Sequence, residues 1–288
     1  MLNCNLIHGD CLEKMKDIPD KSIDMILTDP PYGTTACKWD VIIPFEPMWE
    51  QLKRIIKPNG VICLFGSEPF SSHLRLSNLK MFKYDWVWNK RAPKGHLNAK
   101  KMPLSQHEVI SVFYTGQPTY NPILHQNKLH REFIGDSKKD ETQVYGKQKI
   151  HQKNISPTVS YPRSIIEQTA VIGNSKEKVA YPTQKPVALL EYLIKTYTLE
   201  NETVLDFTAG SFSTGVAAVN LNRKFIGIEK DLNYFNVGKK RILERLECLN
   251  LEIEKVKDTE DSLLLNTRER IKEINISGSA GVVAEKTK

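Results

Sequence analysis

An α/β fold, a mostly parallel sheet with helices on both faces, is predicted by three features of this 288-residue chain. The short apolar run at 23–28 is stopped by Pro30 and Pro31, as suits a buried strand of a parallel sheet whose pairing ends where the backbone loses its donors. Residues 203–229 read as strand, Gly-containing turn, small-residue helix and second strand, which is a nucleotide-binding βαβ unit. Amphipathic helical patterns at 44–57 and from Pro186 to about 197 alternate with strand-like runs, the order expected of a layered α/β domain.

Taken in order, residues 4–8 form a first strand and 22–28 a second. Phe45, Met48, Trp49, Leu52, Ile55 and Ile56 then share one face of a helix over 44–57, which Pro58-Asn59-Gly60 ends before a strand at 61–65. Ser67-Glu68-Pro69-Phe70 opens a further helix, and 84–88 and 108–114 are closing strands around a Lys/His-rich loop. From 117 to 180 the chain is polar, basic and weakly periodic, poor core material, with 136–153 the stretch most suited to disorder. Pro186 starts a helix carrying Leu189, Leu190, Leu193 and Ile194 on one side. The sheet resumes at Val204, and after the strand at 224–229 a helix runs over 231–248. A helical stretch over 249–274 and a frayed Gly/Ser/Ala-rich end at 277–288 follow. No internal repeat is present.

The end of the second strand carries Asp29-Pro30-Pro31-Tyr32. Neither proline has an N–H, and each locks φ, so the carbonyls around them are rigid acceptors without competing donors. With the Asp29 carboxylate as a second acceptor, an NH₂ group can be held by both hydrogens, leaving its nitrogen lone pair free. Tyr32 supplies an aromatic face for a planar base. Four residues alone also fit a Pro-Pro turn beside a solvated carboxylate. In the βαβ unit, small residues after Asp206 allow close backbone approach, and Glu229, roughly 20 residues on, is placed to accept ribose hydroxyls. The turn lacks G-x-G-x-x-G, which favours a nucleoside cofactor with no phosphate to cradle; a unit of this kind with no cofactor is the alternative.

Composition sets further bounds. A chain of this length buries a substantial core, and one α/β domain with one insertion accounts for it. The five cysteines form no C-x-x-C pair and fit reduced, packed thiols. The N-terminus resembles no signal peptide and nothing approaches a membrane span, so a cytoplasmic protein is expected. Residues 90–185 hold 16 Lys and Arg against 7 Asp and Glu, a balance of +9, whereas the chain as a whole is +7 and the remainder −2. An excess confined to one segment is the footprint of a phosphate-neutralising surface, with Lys94, Lys100 and Lys101 as candidate DNA contacts.

Together with His8-Gly9-Asp10 and Thr183-Gln184-Lys185-Pro186, these stretches resemble the β class of S-adenosylmethionine-dependent DNA amino-methyltransferases, which modify adenine N6 or cytosine N4. The motifs agree in type and in order over most of the chain. The resemblance implies a Rossmann-like methyltransferase fold, circularly permuted so that the catalytic strand comes first and the cofactor strand late. It implies a catalytic half over 1–116, a target-recognition insert over 117–180, a cofactor half over 181–248 and a helical C-terminal extension over 249–288. S-adenosylmethionine is the implied cofactor, held by Asp10, Lys185, Asp206, Thr208, Gly210, Ser211 and Glu229. Asp29, Pro30, Pro31 and Tyr32 are the implied catalytic residues, and no metal is implied. Double-stranded DNA is the implied partner, its target base flipped out; a homodimer and a cognate restriction enzyme are left open.

Adenine is favoured because the motif begins with Asp29, where cytosine-modifying relatives more often have Ser and protein-glutamine methyltransferases typically have Asn. One position departs from the family pattern. Relatives usually carry Asp-Pro-Phe-x-Gly-Ser-Gly, and Phe212 stands where the last glycine falls. A ring in the cofactor pocket makes the chain a DNA-binding relative without activity; a ring between helix and sheet leaves the pocket open.

Overall fold

Strand β2 (Ile23–Thr28) is the centre of the fold, because its apolar side chains bury on both sides: Met25 and Leu27 in one layer, Ile26 in the other. The computed structural model describes residues 4–35, 37, 39–126 and 159–250. One eight-stranded sheet runs in the order β1 (Cys4–His8), β10 (Lys224–Glu229), β9 (Thr203–Asp206), β2, β3 (Ile56–Gly66), β5 (Ser105–Phe113), β4 (Phe82–Lys94) and β8 (Ile165–Glu167). The first five are mutually parallel; β5 is antiparallel to both β3 and β4, and β8 is parallel to β4. The late strands β9 and β10 lie between the early strands β1 and β2, which is the permuted order expected.

Helices cover both faces. α1 (Cys11–Lys14), α2 (Phe45–Ile55) and α3 (Phe70–Ser77) pack on Ile26, Ile62 and Leu64, whereas α4 (Val187–Tyr197), α5 (Ser213–Asn220) and α6 (232–250) pack on Met25, Leu27, Cys63 and Phe65. Strand β3 alternates between the two layers, which fixes its register. On the β4 side, Tyr197 closes the α4 layer: its hydroxyl accepts from Trp86 Nε1 at 2.6 Å and lies 2.8 Å from the Tyr84 hydroxyl.

Three expectations are corrected. Helix α2 stops at Ile55, and Ile56 begins β3, so Pro58-Asn59-Gly60 is no separating turn but a bulge inside the strand: Ile23 pairs with Ile56 while Met25 pairs with Val61. A side chain on Gly60 would meet the Asp24 carbonyl at 2.9 Å, so the bulge needs a residue without Cβ. Strands β4 and β5 are longer than their apolar stretches because they pair through the polar residues beyond them. The 117–180 segment adds β8 to the sheet edge and the short pair β6 (His125–Gln126) and β7 (Val159–Ser160), with Ile166 packed against the core. The disorder expected over 136–153 lies outside the described residues, as does the C-terminal extension apart from residues 249 and 250, which continue α6.

Phe212 caps the N-terminus of α5 in the left-handed region, at φ 56° and ψ 34°, as a glycine would. Its ring is fully buried and edge-on to Phe225 and Phe235, with centroids 6.1 and 5.9 Å away. Two glycines make the slot: a Cβ on Gly238 would lie 1.8 Å from the ring, and one on Gly227 2.4 Å from it. The ring therefore packs between helix and sheet, away from the ligand side of the loop. Phe212→Gly relieves about 1–2 kcal/mol of left-handed strain but opens a cavity costing about 3–5 kcal/mol. The expected net loss is about 1–4 kcal/mol by urea unfolding, with no gain in S-adenosylmethionine affinity by calorimetry.

Candidate active site

The parallel strands β1, β10, β9 and β2 end on one edge of the sheet, where ligands of open α/β sheets bind. Their ends bring Asp10, Glu229, Asp206 and Asp29 together. A cleft of about 590 Å³ opens there, lined by Asp10, Asp29, Pro31, Thr208, Tyr181 and Glu229 among others. An adjoining recess shares Asp29, Thr208 and Tyr181 and adds Lys185, Asp206 and Ser211.

Each predicted cofactor residue has a defined place. Asp10 caps α1, accepting from Leu12 N at 3.0 Å and from Lys230 Nζ at 3.1 Å. Burial opposes its ionisation, but those two donors outweigh burial and hold the carboxyl below its usual range. Glu229 accepts from the Gly210 and Asp231 N–H groups, each at 2.8 Å, so its oxygens are oriented in advance. Burial nonetheless pushes its carboxyl up. Gly210 has φ +52°, and a Cβ there would lie 2.5 Å from the Tyr181 ring. Asp206 is buried; its Oδ1 accepts from the Thr28 hydroxyl and from Thr208 N at 3.2 Å. Ser211 is buried and its carbonyl accepts from Arg241. Lys185 is placed differently: it pairs with Asp29 and, at 3.4 Å, with Glu108, and does not line the larger cleft.

At the end of β2, Asp29 Oδ1 accepts the Tyr32 hydroxyl and Oδ2 the Lys185 ammonium. Burial pushes the Asp29 carboxyl up, Lys185 pulls it back, and Glu108 adds to the rise. Burial works against the Lys185 charge, but Asp29 and Glu108 more than restore it, so its pKa is raised. Thr208 Oγ1 donates to the Asp29 carbonyl at 3.1 Å, joining the two loops. Tyr32 stacks on Phe70 at 5.0 Å and 26°. The Asp40 carboxylate holds the loop beyond: it accepts from the N–H groups of Tyr32, Gly33, Thr34 and Thr35 at 2.7–2.9 Å. Lys94 lies at the end of β4 and Lys100 and Lys101 on the exposed turn after it; partial burial, then Lys90, lowers the Lys94 pKa.

The chain has counterparts among known proteins. Residues 23–240 match the family described as DNA methylase. The chain belongs to that family. The methylase is 31% identical over 287 residues to "DNA adenine methyltransferase YhdJ" of Escherichia coli K12, an alignment covering 94% of this chain and 92% of the relative. It is 27% identical to "Type II methyltransferase M.HinfI" of Haemophilus influenzae, over 86% of this chain and 72% of that one. Among solved structures it resembles the M1.HpyAVI–SAM complex, with a TM-score of 0.57 and 26% identity over 83% of this chain and 98% of the other. It shares its fold with the cytosine-N4-specific PvuII DNA methyltransferase, with a TM-score of 0.58 and 16% identity over 84% and 91% of the two chains.

The methylase uses S-adenosylmethionine, and its cleft fits that ligand. Its volume lies in the range of small-molecule sites, acidic groups surround it, and Glu229 is pre-oriented at the place expected of a ribose acceptor. Sequence reasoning missed Thr28, Asp40, Glu108 and Tyr181. Only Glu108 left a signal, a charge at the start of an apolar strand; Asp40 acts through backbone groups that no spacing rule reveals.

Burial raises the Asp206 carboxyl from 3.8 to about 6. The folded methylase therefore keeps a proton that the unfolded chain sheds in this window, so the residue lowers stability as pH rises through it, by at most about 3 kcal/mol. Asp206→Asn is expected to be more stable than wild type by about 1–3 kcal/mol near neutral pH and close to wild type at about pH 4, read by urea titration at both. Equal differences at the two values would show that this carboxyl carries no such burden.

Proposed function

We propose that the chain transfers the methyl group of S-adenosylmethionine to adenine N6 in double-stranded DNA, with the target nucleotide swung out of the duplex. The observation that carries this reading is the shared wall: Asp29 and Thr208 line the same cleft as Asp10 and Glu229, so an amine held at Asp29 lies beside a cofactor held at Glu229. The leading Asp29 of the motif and the similarity to a relative named as an adenine methyltransferase favour adenine over cytosine.

Asp10, Asp206, Thr208, Gly210, Ser211 and Glu229 form the cofactor side, which supplies an electrophilic methyl on a positively charged sulfur. Asp29 and the Pro30 carbonyl accept the two amino hydrogens, leaving the nitrogen lone pair to attack in line, with the electron pair of the broken methyl–sulfur bond staying on the sulfur. Pro31 keeps that turn rigid, and Asp40 fixes the loop from which Tyr32 projects. Phe70 stacks on Tyr32 and holds its ring, against which the flipped base packs in this reading. As the nitrogen gains the methyl it loses a proton, for which Asp29 is a placed acceptor. Orientation and fixed acceptors supply the acceleration, with no covalent enzyme intermediate. Flipping costs a few kcal/mol, offset by stacking and backbone contacts.

In this reading Lys94, Lys100 and Lys101 contact phosphate, the 117–180 segment reads the site, and the protein works in the cytoplasm. Relatives named type II methyltransferases support a restriction enzyme of the same specificity as a partner. Sequencing of DNA from cells expressing the chain is expected to show N6-methyladenine in one short motif; N4-methylcytosine there would replace adenine in the reading.

Asp29→Ala is expected to abolish transfer, by about a thousandfold or more, while calorimetric S-adenosylmethionine affinity stays near wild type. Near-normal turnover would remove Asp29 from the chemistry. Substituting Lys94, Lys100 and Lys101 with Gln is expected to weaken DNA binding on every sequence and to flatten the log–log salt slope by roughly 0.9 for each phosphate no longer neutralised. An unchanged slope would place the backbone contacts elsewhere.

A further inference from the structure

Asp29, Lys185, Glu108 and Lys90 form a line of alternating charge from the end of β2 to β5 and β4, closed in by the Phe65 ring 5.1 Å from Lys185 Nζ. Side chains of the protein itself engage both Asp29 oxygens, Tyr32 on Oδ1 and Lys185 on Oδ2. At the other end, Glu108 Oε1 accepts from Lys90 at 3.0 Å, whereas the buried Oε2 makes no well-formed hydrogen bond among the described residues and is held only by the longer ion pair to Lys185 Nζ at 3.4 Å. A buried carboxylate oxygen held only by a distant, shared ammonium is under-satisfied and calls for a reason.

The two ends explain each other. A neutral amino group is a weaker donor than an ammonium, so it cannot displace Lys185 from a buried carboxylate unless the ammonium gains an equal acceptor. Glu108 Oε2 is such an acceptor, within a short swing of a flexible four-carbon stem. Moving between the carboxylates leaves the net charge of the cluster unchanged.

We propose that Lys185 is a two-position ammonium: it holds Asp29 while no base is present and moves to Glu108 Oε2 when the target amino group reaches Asp29. Glu108 is then a positioning residue for methyl transfer, and Lys185 guards the acceptor. The inference rests on the reading of Asp29 as the amine acceptor. Lys185 also draws the Asp29 carboxyl down against the rise that burial causes; the other charged or titratable groups around Asp29 are Tyr32 on its own loop, Glu108 on β5, Lys90 and Lys94 on β4, Asp206 on β9 and Tyr181.

The test uses the full chain, S-adenosylmethionine and a duplex carrying the motif found by sequencing. Glu108→Gln keeps the shape of the side chain but strands Lys185 on Asp29; it is expected to lower kcat/KM for DNA by about tenfold or more, with cofactor affinity near wild type and a lower melting temperature, because the buried Lys90 loses its counter-ion. Adding Lys185→Met to Glu108→Gln frees Asp29 and is expected to recover part of that loss, with the acidic limb of the rate profile moved to higher pH because Asp29 has lost its counter-ion. A purely structural role predicts a double variant no better than the single one at any pH. That result, or wild-type kinetics in Glu108→Gln, would overturn the exchange. If Glu108→Gln does not fold, the wild-type complex with the duplex and S-adenosylhomocysteine decides: Lys185 Nζ on Glu108 supports the proposal, and Nζ still on Asp29 refutes it. A wild-type chain that methylates DNA while Asp29→Ala does so equally well would instead overturn the underlying reading of Asp29.

Discussion

The Thr28 hydroxyl, at the last residue of β2, hydrogen-bonds Asp206 and lies 2.7 Å from the Thr208 hydroxyl on the neighbouring loop. These partners are 178 and 180 residues away in the chain. Through this contact the two motif-bearing loops become one surface, because β2 and β9 are adjacent parallel strands ending at the same level. Thr208 extends the tie by donating to the Asp29 carbonyl, so the groups expected to hold the amine and the cofactor share one hydrogen-bonded frame. Buried polar networks of this kind are rigid when every member is satisfied, and rigidity is what an in-line transfer between two bound groups requires.

The same edge of the sheet concentrates charge at low dielectric. Asp29 and Glu108 would repel each other if bare; Lys185 and Lys90 neutralise them, and the result is a compact cluster in which one carboxylate oxygen, Glu108 Oε2, is held only by the longer ion pair to Lys185. Breaking such a pair by removing one partner is expensive, whereas moving an ammonium between two equivalent acceptors is not. The cluster thus combines stiffness in its members' positions with freedom in how they pair. Asp40 is the contrasting device, a single carboxylate tied by four backbone N–H groups and held ionised by them despite burial.

Phe212 shows how a departure from a family pattern is absorbed. Its backbone keeps the left-handed conformation that the loop demands, while Gly227 and Gly238 give the ring a slot on the far side of that loop. Conformational strain of about 1–2 kcal/mol is set against burial of a full aromatic ring, and burial wins. The ligand side of the turn, with Gly210 facing Tyr181, is left intact.

Much was legible in the sequence, because it rests on local rules. The βαβ pattern placed the strand at 224–229; prolines marked the end of β2; and the order of the motifs implied the permuted fold. What the tertiary structure decided depended on contacts between distant residues. The bulge at Pro58-Asn59-Gly60 follows from pairing with β2, β8 from an open edge beside β4, and the direction of the Phe212 ring from glycines 15 and 26 residues further along the chain. Lys185 reads as a cofactor residue from its motif, yet it meets Asp29 and Glu108, 156 and 77 residues before it, because β2 and β5 flank the same strand β3. Periodicity and motifs report what a segment does with its own neighbours; the pairing of buried charges is set by which strand ends the sheet brings together.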